Sequence, residues 1–232
     1  MKKEIYRCLE EYMHTCMADS AHDREHVYRV VYTALNLADG EAGVDRDVLI
    51  AACLLHDIGR AAQFADPKVC HACEGAEMAF SFLLSQGFEP EFAEKVRHCI
   101  ETHRFRKNNP PQTTEAKLLF DADKLDVTGT IGIARTLMYQ GQAVRPLYTL
   151  TDTGEVCDGT GDCPDSFFRE YKYKLEKIYN RFYTSRGREE GRKRKAAAEA
   201  FYDSLLKEVR CSRQGSAALE EYVSGDERRA YG

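Results

Sequence analysis

No stretch of this 232-residue sequence alternates apolar and polar residues with a period of two, so a substantial β-sheet is not expected. No window approaches the roughly 18 apolar residues of a membrane-spanning helix. The opening MKKEIYRCLEEYMHTCMADS is basic but lacks the unbroken apolar segment of a secretory leader. These absences predict a soluble, cytoplasmic protein with no membrane partner. There is no excess of basic residues either: the net charge is −5, which argues against nucleic acid as a partner by bulk electrostatics and leaves phosphate recognition to local basic clusters. No internal repeat is visible. Nine cysteines is an odd number in a chain too long to be a disulfide scaffold, so they read as thiols of a reducing compartment, mostly buried.

What is present is globular: 43% apolar and 31% charged residues are enough for a sizeable core. Helical periodicity dominates. Ile5, Cys8, Leu9, Tyr12, Met13 and Cys16 share one face, and Ser20 stands before a second helix carrying Val27, Val30, Val31, Ala34 and Leu35. Residues 45–59 are too apolar for a surface helix and read as the central one, ended by Gly59. Further helices are expected over about 73–85, from Pro90, after Thr113–Thr114 and after Gly132. Residues 152–165, rich in glycine and aspartate, read as a long loop or disordered insert. Two charged helices follow at about 166–184 and 188–210. The expected organisation is one helical domain over 1–212, with its core at about 20–142, and a polar, frayed tail over 213–232.

Seven histidines are present, and six fall between His22 and His103. One precedes an aspartate at the end of the most apolar helix, in LLHDIG. A carboxylate in apolar surroundings is costly unless paired or bound to metal. A His-Asp dipeptide alone is weak; His22-Asp23 is a second one. Its company strengthens it: His26 in HVYRVV lies earlier, and Asp123 follows the apolar Leu118-Leu119-Phe120. Imidazole with carboxylate suits Mn, Fe, Co, Ni or Zn better than Ca.

The strings HDREHVYRV (22–30), LLHDIGR (54–60), IETHRFR (100–106) and DADKLDVTGTIGIAR (121–135) resemble the HD-domain superfamily of metal-dependent phosphohydrolases. The last of these, with the C-terminal KLEKIYNRFYT, is similar to a bacterial subgroup related to a nucleoside triphosphate pyrophosphohydrolase. The resemblance spans roughly residues 3–210. It implies an all-α bundle around a central metal site holding one divalent ion (Mn, Fe, Ni, Co, Mg or Zn). It puts the ligands at His26, His56, Asp57 and Asp123, with Asp121 and Asp126 as supporting or helix-capping residues. One departure stands at Glu170-Tyr171, where the subgroup has His-Phe.

The chemistry expected is hydrolysis of a phosphate ester or anhydride, with a small phosphate compound, by resemblance a nucleotide, as substrate. Asp57, Arg60 and His22 are the candidate catalytic residues. His71, His103, Arg104, Arg106 and Lys124 are the candidate substrate-binding residues, and Arg29 is expected to pair with a ligand carboxylate. A homodimer is allowed by the sequence. Two other readings stay open: a phosphomonoesterase acting on nucleoside monophosphates or other small phosphates, and a non-catalytic regulatory module that kept the metal site. Cys70-His71-Ala72-Cys73 is a C-x-x-C, but with no second such motif for zinc and no βαβ pattern for redox chemistry it reads as two incidental thiols. The six basic residues between Arg186 and Lys195 read as a solvated helix face.

Overall fold

The computed structural model describes residues 1–17, 24–104 and 109–229, with side chains to residue 223. The described residues are helical with no sheet; a single bridge pairs Leu150 with Val156. The chain divides into two compact units, residues 1–126 with 180–191, and residues 127–179 with those from 192 onward.

The first unit contains α1 (Lys3–Cys16), α2 (Arg24–Ala38), α3 (Arg46–Leu55), α4 (Arg60–Ala65), α5 (His71–Ser85), α6 (Pro90–Thr102) and α7 (Thr114–Leu125). α3 is the centre, as its composition predicts: Val48, Leu49, Ala51, Ala52, Cys53, Leu54 and Leu55 are buried against α1, α2, α6 and α7. Truncating any one of these leucines to alanine costs about 2–5 kcal/mol by lost burial and the cavity left behind. The Asp45 carboxylate starts the helix by accepting the N–H groups of Asp47 and Val48, both at 3.1 Å.

α3 stops at Leu55, four residues before the expected end at Gly59. The His56 ring donates from Nδ1 to the Cys53 carbonyl at 2.7 Å, taking an acceptor that the helix ladder would otherwise use. Tight turns follow, and the short α4 begins at Arg60. The run Arg46–Ala65 does have the length and apolarity to cross a membrane, contrary to the sequence expectation, but it is mostly buried inside the fold and broken by this turn. Gly59 then presses backbone to backbone onto α5. A Cβ there would stand 2.3 Å from the His71 carbonyl oxygen and 2.6 Å from the Gly75 nitrogen, so only glycine admits the approach.

Residues 180–191 return to this unit through Asp121 on α7. Its carboxylate accepts the N–H of Tyr183 (2.8 Å) and both the N–H and the hydroxyl of Thr184 (2.7 Å each).

The second unit contains α8 (Gly129–Gln142), α9 (Phe167–Tyr173), a 3₁₀ helix (Leu175–Asn180), the later part of α10 (Ser185–Arg213), and α11 (Gly215–Arg229). Phe167, Phe168, Tyr171, Tyr179 and Tyr202 form an aromatic core in which Tyr171 stacks on Tyr202 at 4.3 Å. Of the departure at Glu170-Tyr171, Tyr171 packs in this core and Glu170 pairs with Lys174. The loop 152–165 is tied down rather than disordered: Val156 and Cys157 are buried, Cys157 N–H bonds the Thr149 carbonyl at 2.9 Å, and Arg169 and Tyr173 hold the Gly161 carbonyl at 3.0 and 2.9 Å. The expected frayed tail is also corrected, because α11 occupies it; Ala217, Ala218, Leu219, Glu220 and Glu221 are strong helix formers.

Candidate metal centre

His26 sits in the first turn of α2, His56 caps the end of α3, and Asp123 lies in the last turn of α7. The apolar faces of those helices bring the three together. His26 donates from Nδ1 to Asp126 at 2.7 Å, and Arg29 grips the same carboxylate at 2.7 and 3.1 Å. His56 has its Nδ1 proton on the Cys53 carbonyl. With both Nδ1 protons committed, both Nε2 atoms carry lone pairs, and these face one another at 3.3 Å. Asp57 Oδ2 lies 3.6 Å from His26 Nε2 and 3.7 Å from His56 Nε2; Asp123 Oδ1 lies 3.4 and 3.9 Å from the same atoms.

A cation fits this set. Two imidazole nitrogens and two carboxylate oxygens gathered in this way are a donor set of the kind that would hold a Zn- or Mn-type cation. His56 and Asp57 are 0% and 1% exposed, and Asp57 Oδ2 is buried with no hydrogen-bond partner among the described residues, as suits a carboxylate oxygen that would face a cation.

A second group adjoins the first through the other oxygen of the same aspartate. Asp57 Oδ1 accepts Arg60 Nε at 3.0 Å and faces His71 Nε2 at 3.3 Å and His103 Nε2 at 3.8 Å. Both imidazole Nε2 atoms are buried without hydrogen-bond partners. His103 has its Nδ1 proton on the Ile100 carbonyl at 2.6 Å. His71 Nδ1 lies between Gln63 Oε1 at 2.7 Å and Arg104 Nη1 at 2.9 Å. Asp57, His71 and His103 could together hold an ion, as could His26, His56 and Asp123.

Charge follows from this packing. Burial opposes ionisation of Asp57, but His56, Arg60, His26 and His103 outweigh it and hold the carboxyl below the usual carboxylate range. Burial likewise opposes ionisation of Asp123, and Lys124, His26 and His103 overcome it. Burial pushes His56 down against the pull of Asp57. Burial and the charge of Arg60 push His71 down to about 2, and burial with His56 takes His103 to about 4.

These two depressed histidines set a pH dependence. In the unfolded chain a histidine protonates near 6.5. Between that pH and about 4 the unfolded chain takes up protons that the folded one refuses, so stability is full above the window and falls as the pH drops through it. For His103 the loss is roughly 3 kcal/mol. Thermal unfolding in chelator should give a midpoint that is level above pH 7 and declines towards pH 4, with a shallower decline in His103→Gln. Coincident profiles would contradict a buried neutral His103.

Of the residues expected from sequence, His26, His56, Asp57 and Asp123 converge, and Arg60, His71, His103 and Arg104 gather round Asp57. Lys124 pairs with Asp123 at 3.2 Å and lies over the Phe120 ring. Arg29 pairs with Asp126 rather than with one of the four ligands. His22 and Arg106 lie outside the described residues. Sequence reasoning missed Gln63, one short turn beyond Gly59, whose contact to His71 has no local sequence signature.

Residues 24–128 match the HD domain family model. The chain is 28% identical over 195 residues to the YpgQ protein of Bacillus subtilis, covering 82% of this chain and 85% of that one. An HD-superfamily hydrolase from Bacillus thuringiensis has a similar structure, with a TM-score of 0.68 at 28% identity, over 90% of this chain and 98% of that one. An HD-superfamily hydrolase from an uncultured Thermotogales bacterium superposes with a TM-score of 0.57 at 28% identity, over 89% and 91%. The crystal structure of Bacillus subtilis YpgQ in complex with ADP shares the fold, with a TM-score of 0.68 at 23% identity, over 88% and 95%. The similarity to the HD domain thus covers residues 24–128, which contain every described residue of the candidate metal centre.

Proposed function

We propose that this chain hydrolyses a phosphate ester or anhydride bond of a nucleotide, with a divalent cation held by His26, His56, Asp57 and Asp123. The observation that carries the reading is the pair of Nε2 lone pairs 3.3 Å apart between two carboxylates, an arrangement that a cation relieves. A cation held there supplies Lewis acidity towards water and towards a phosphoryl oxygen. The protein's own groups do the rest. Asp126 and the Cys53 carbonyl fix the two imidazoles in their ligand tautomers, and Arg60 fixes Asp57. Lys124, paired with Asp123, and Arg104, against His71, are partly exposed cations that would neutralise phosphate oxygens. A nucleotide substrate is supported by the resemblance to nucleoside triphosphate pyrophosphohydrolases and by the ADP complex of YpgQ.

One observation favours a second reading of His71 and His103. With its Nδ1 proton on Ile100, neutral His103 offers a lone pair rather than a donor towards Asp57 Oδ1. Such an atom ligates a second cation better than it binds a phosphate oxygen. Manganese titration separates the two readings: one equivalent assigns these histidines to substrate, and two assign them to metal.

The test of function is a manganese-supplemented screen of nucleoside mono-, di- and triphosphates, with pyrophosphate and orthophosphate measured separately. Pyrophosphate release from a triphosphate is the expected result. Orthophosphate from monophosphates would assign the phosphomonoesterase alternative. Metal retention without turnover of any nucleotide would leave a binding module.

A further inference from the structure

The C-x-x-C at Cys70 and Cys73 has a setting that the sequence does not announce. Cys70 is the N-cap of α5, with φ −85° and ψ 105°, and Cys73 is the third residue of that helix. Side chains at these two positions face each other, because the N-cap side chain folds over the first turn towards N3. Against the opposing effect of burial, the N–H and thiol of Cys73, with the N–H of Ala72, accordingly draw the Cys70 thiol below its ordinary range. Cys70 is half-buried and Cys73 exposed, so a small oxidant reaches the pair. Cα atoms three residues apart on a first helical turn fall within the roughly 4.4–6.8 Å that a disulfide spans, but the sulfurs must close to about 2.05 Å. Closure draws Cys70 and Cys73 together across the turn that carries His71.

One of the two residues between the thiols is His71, whose Nε2 faces Asp57 at 3.3 Å. The turn has little slack. The His71 carbonyl is packed against Gly59 so closely that no Cβ fits between them, and Gly59 follows His56-Asp57 in the same tight turn. A shift of the first turn of α5 is therefore transmitted to His71 and to the backbone carrying Asp57.

We propose that Cys70 and Cys73 are a dithiol modification site, closed to a disulfide by a peroxide, and that closure displaces His71 from Asp57. One thiolate attacks the peroxide oxygen, giving a sulfenic acid and releasing one water. The second thiol displaces the sulfenic hydroxyl as another water and forms the S–S bond. Two thiols lose two electrons and two protons, hydrogen peroxide becomes two waters, and an external dithiol reverses the change.

The full chain, treated with one equivalent of hydrogen peroxide, is analysed by peptide mass mapping and by ¹⁵N NMR of the histidine rings. The expected result is a loss of 2 Da confined to the peptide containing Cys70 and Cys73. A shift of the His71 ring signals should accompany it, with both effects undone by dithiothreitol and absent from Cys73→Ser. A cross-link elsewhere, as at Cys157 and Cys163, with none at 70–73 would overturn the proposal. So would a 70–73 cross-link that leaves the His71 signals in place. Neither readout needs turnover, so failure of the function proposed above stays distinguishable from failure of this one.

Discussion

Asp57→Ala should lose its divalent metal and, with it, about a thousandfold or more of any hydrolytic rate. Asp57 is the group towards which both halves of the centre turn: Oδ2 to His26 and His56, Oδ1 to His71, His103 and Arg60. Removing it deletes a ligand and strands the Arg60 guanidinium beside a hole lined by neutral imidazoles. Stranding one partner of a buried ion pair costs about 3–5 kcal/mol, so the variant also risks unfolding. Asp57→Asn keeps the volume and one carbonyl acceptor for Arg60, and separates the two effects. It should unfold within a few degrees of the parent in chelator yet bind manganese at least a hundredfold more weakly. Metal and activity both retained in Asp57→Ala would sink the assignment of the centre.

The second large effect belongs to a residue that touches no cation. Asp126→Ala releases the His26 ring and removes the carboxylate that Arg29 grips, so His26 no longer presents a fixed Nε2 lone pair. Loss of such an orienting carboxylate typically lowers metal affinity 10- to 100-fold. Because Asp126 acts through His26, the deficit should be one of metal occupancy. Manganese affinity falls, and turnover recovers towards the parent value when manganese is raised to saturation. Asp126→Asn, which keeps an acceptor for the ring but loses the charge that holds Arg29, should fall between. An Asp126→Ala protein with the parent's manganese affinity would show that Asp126 does not orient the ring.

The convergence of His26, His56, Asp57 and Asp123 was legible because they stand in short strings on or at the end of apolar-faced helices, and hydrophobic periodicity turns such helices inward. The central position of α3 was legible for the same reason. Its true end was not, because the helix is stopped by a side chain, His56, that bonds back to a carbonyl three residues earlier. The partnership of Arg29 was half legible: a carboxylate partner was expected, but the choice of Asp126 over Asp123 depends on which side of α7 meets α2. Gln63 was invisible because its role lies in a contact eight residues away, across a turn. The loop over 152–165 looked unstructured because its composition favours turns, whereas its order comes from Arg169, Tyr173 and Tyr202 in later helices.

The way the helices of the first unit end has an electrostatic consequence. α3 and α6 are capped at their C-termini by His56 and His103, and Asp123 lies in the last turn of α7. Each C-terminus carries the equivalent of about −0.5 charge from its unpaired carbonyls. Three such poles meet in a buried volume, so the cavity is negative before either ligand carboxylate is counted. α2 and α5 arrive the other way round, with His26 in the first turn and His71 as the first residue, and each contributes about +0.5. The backbone thus sets poles of both signs round Asp57: the ends of α3, α6 and α7 favour a cation, and the first turns of α2 and α5 favour an anion beside it.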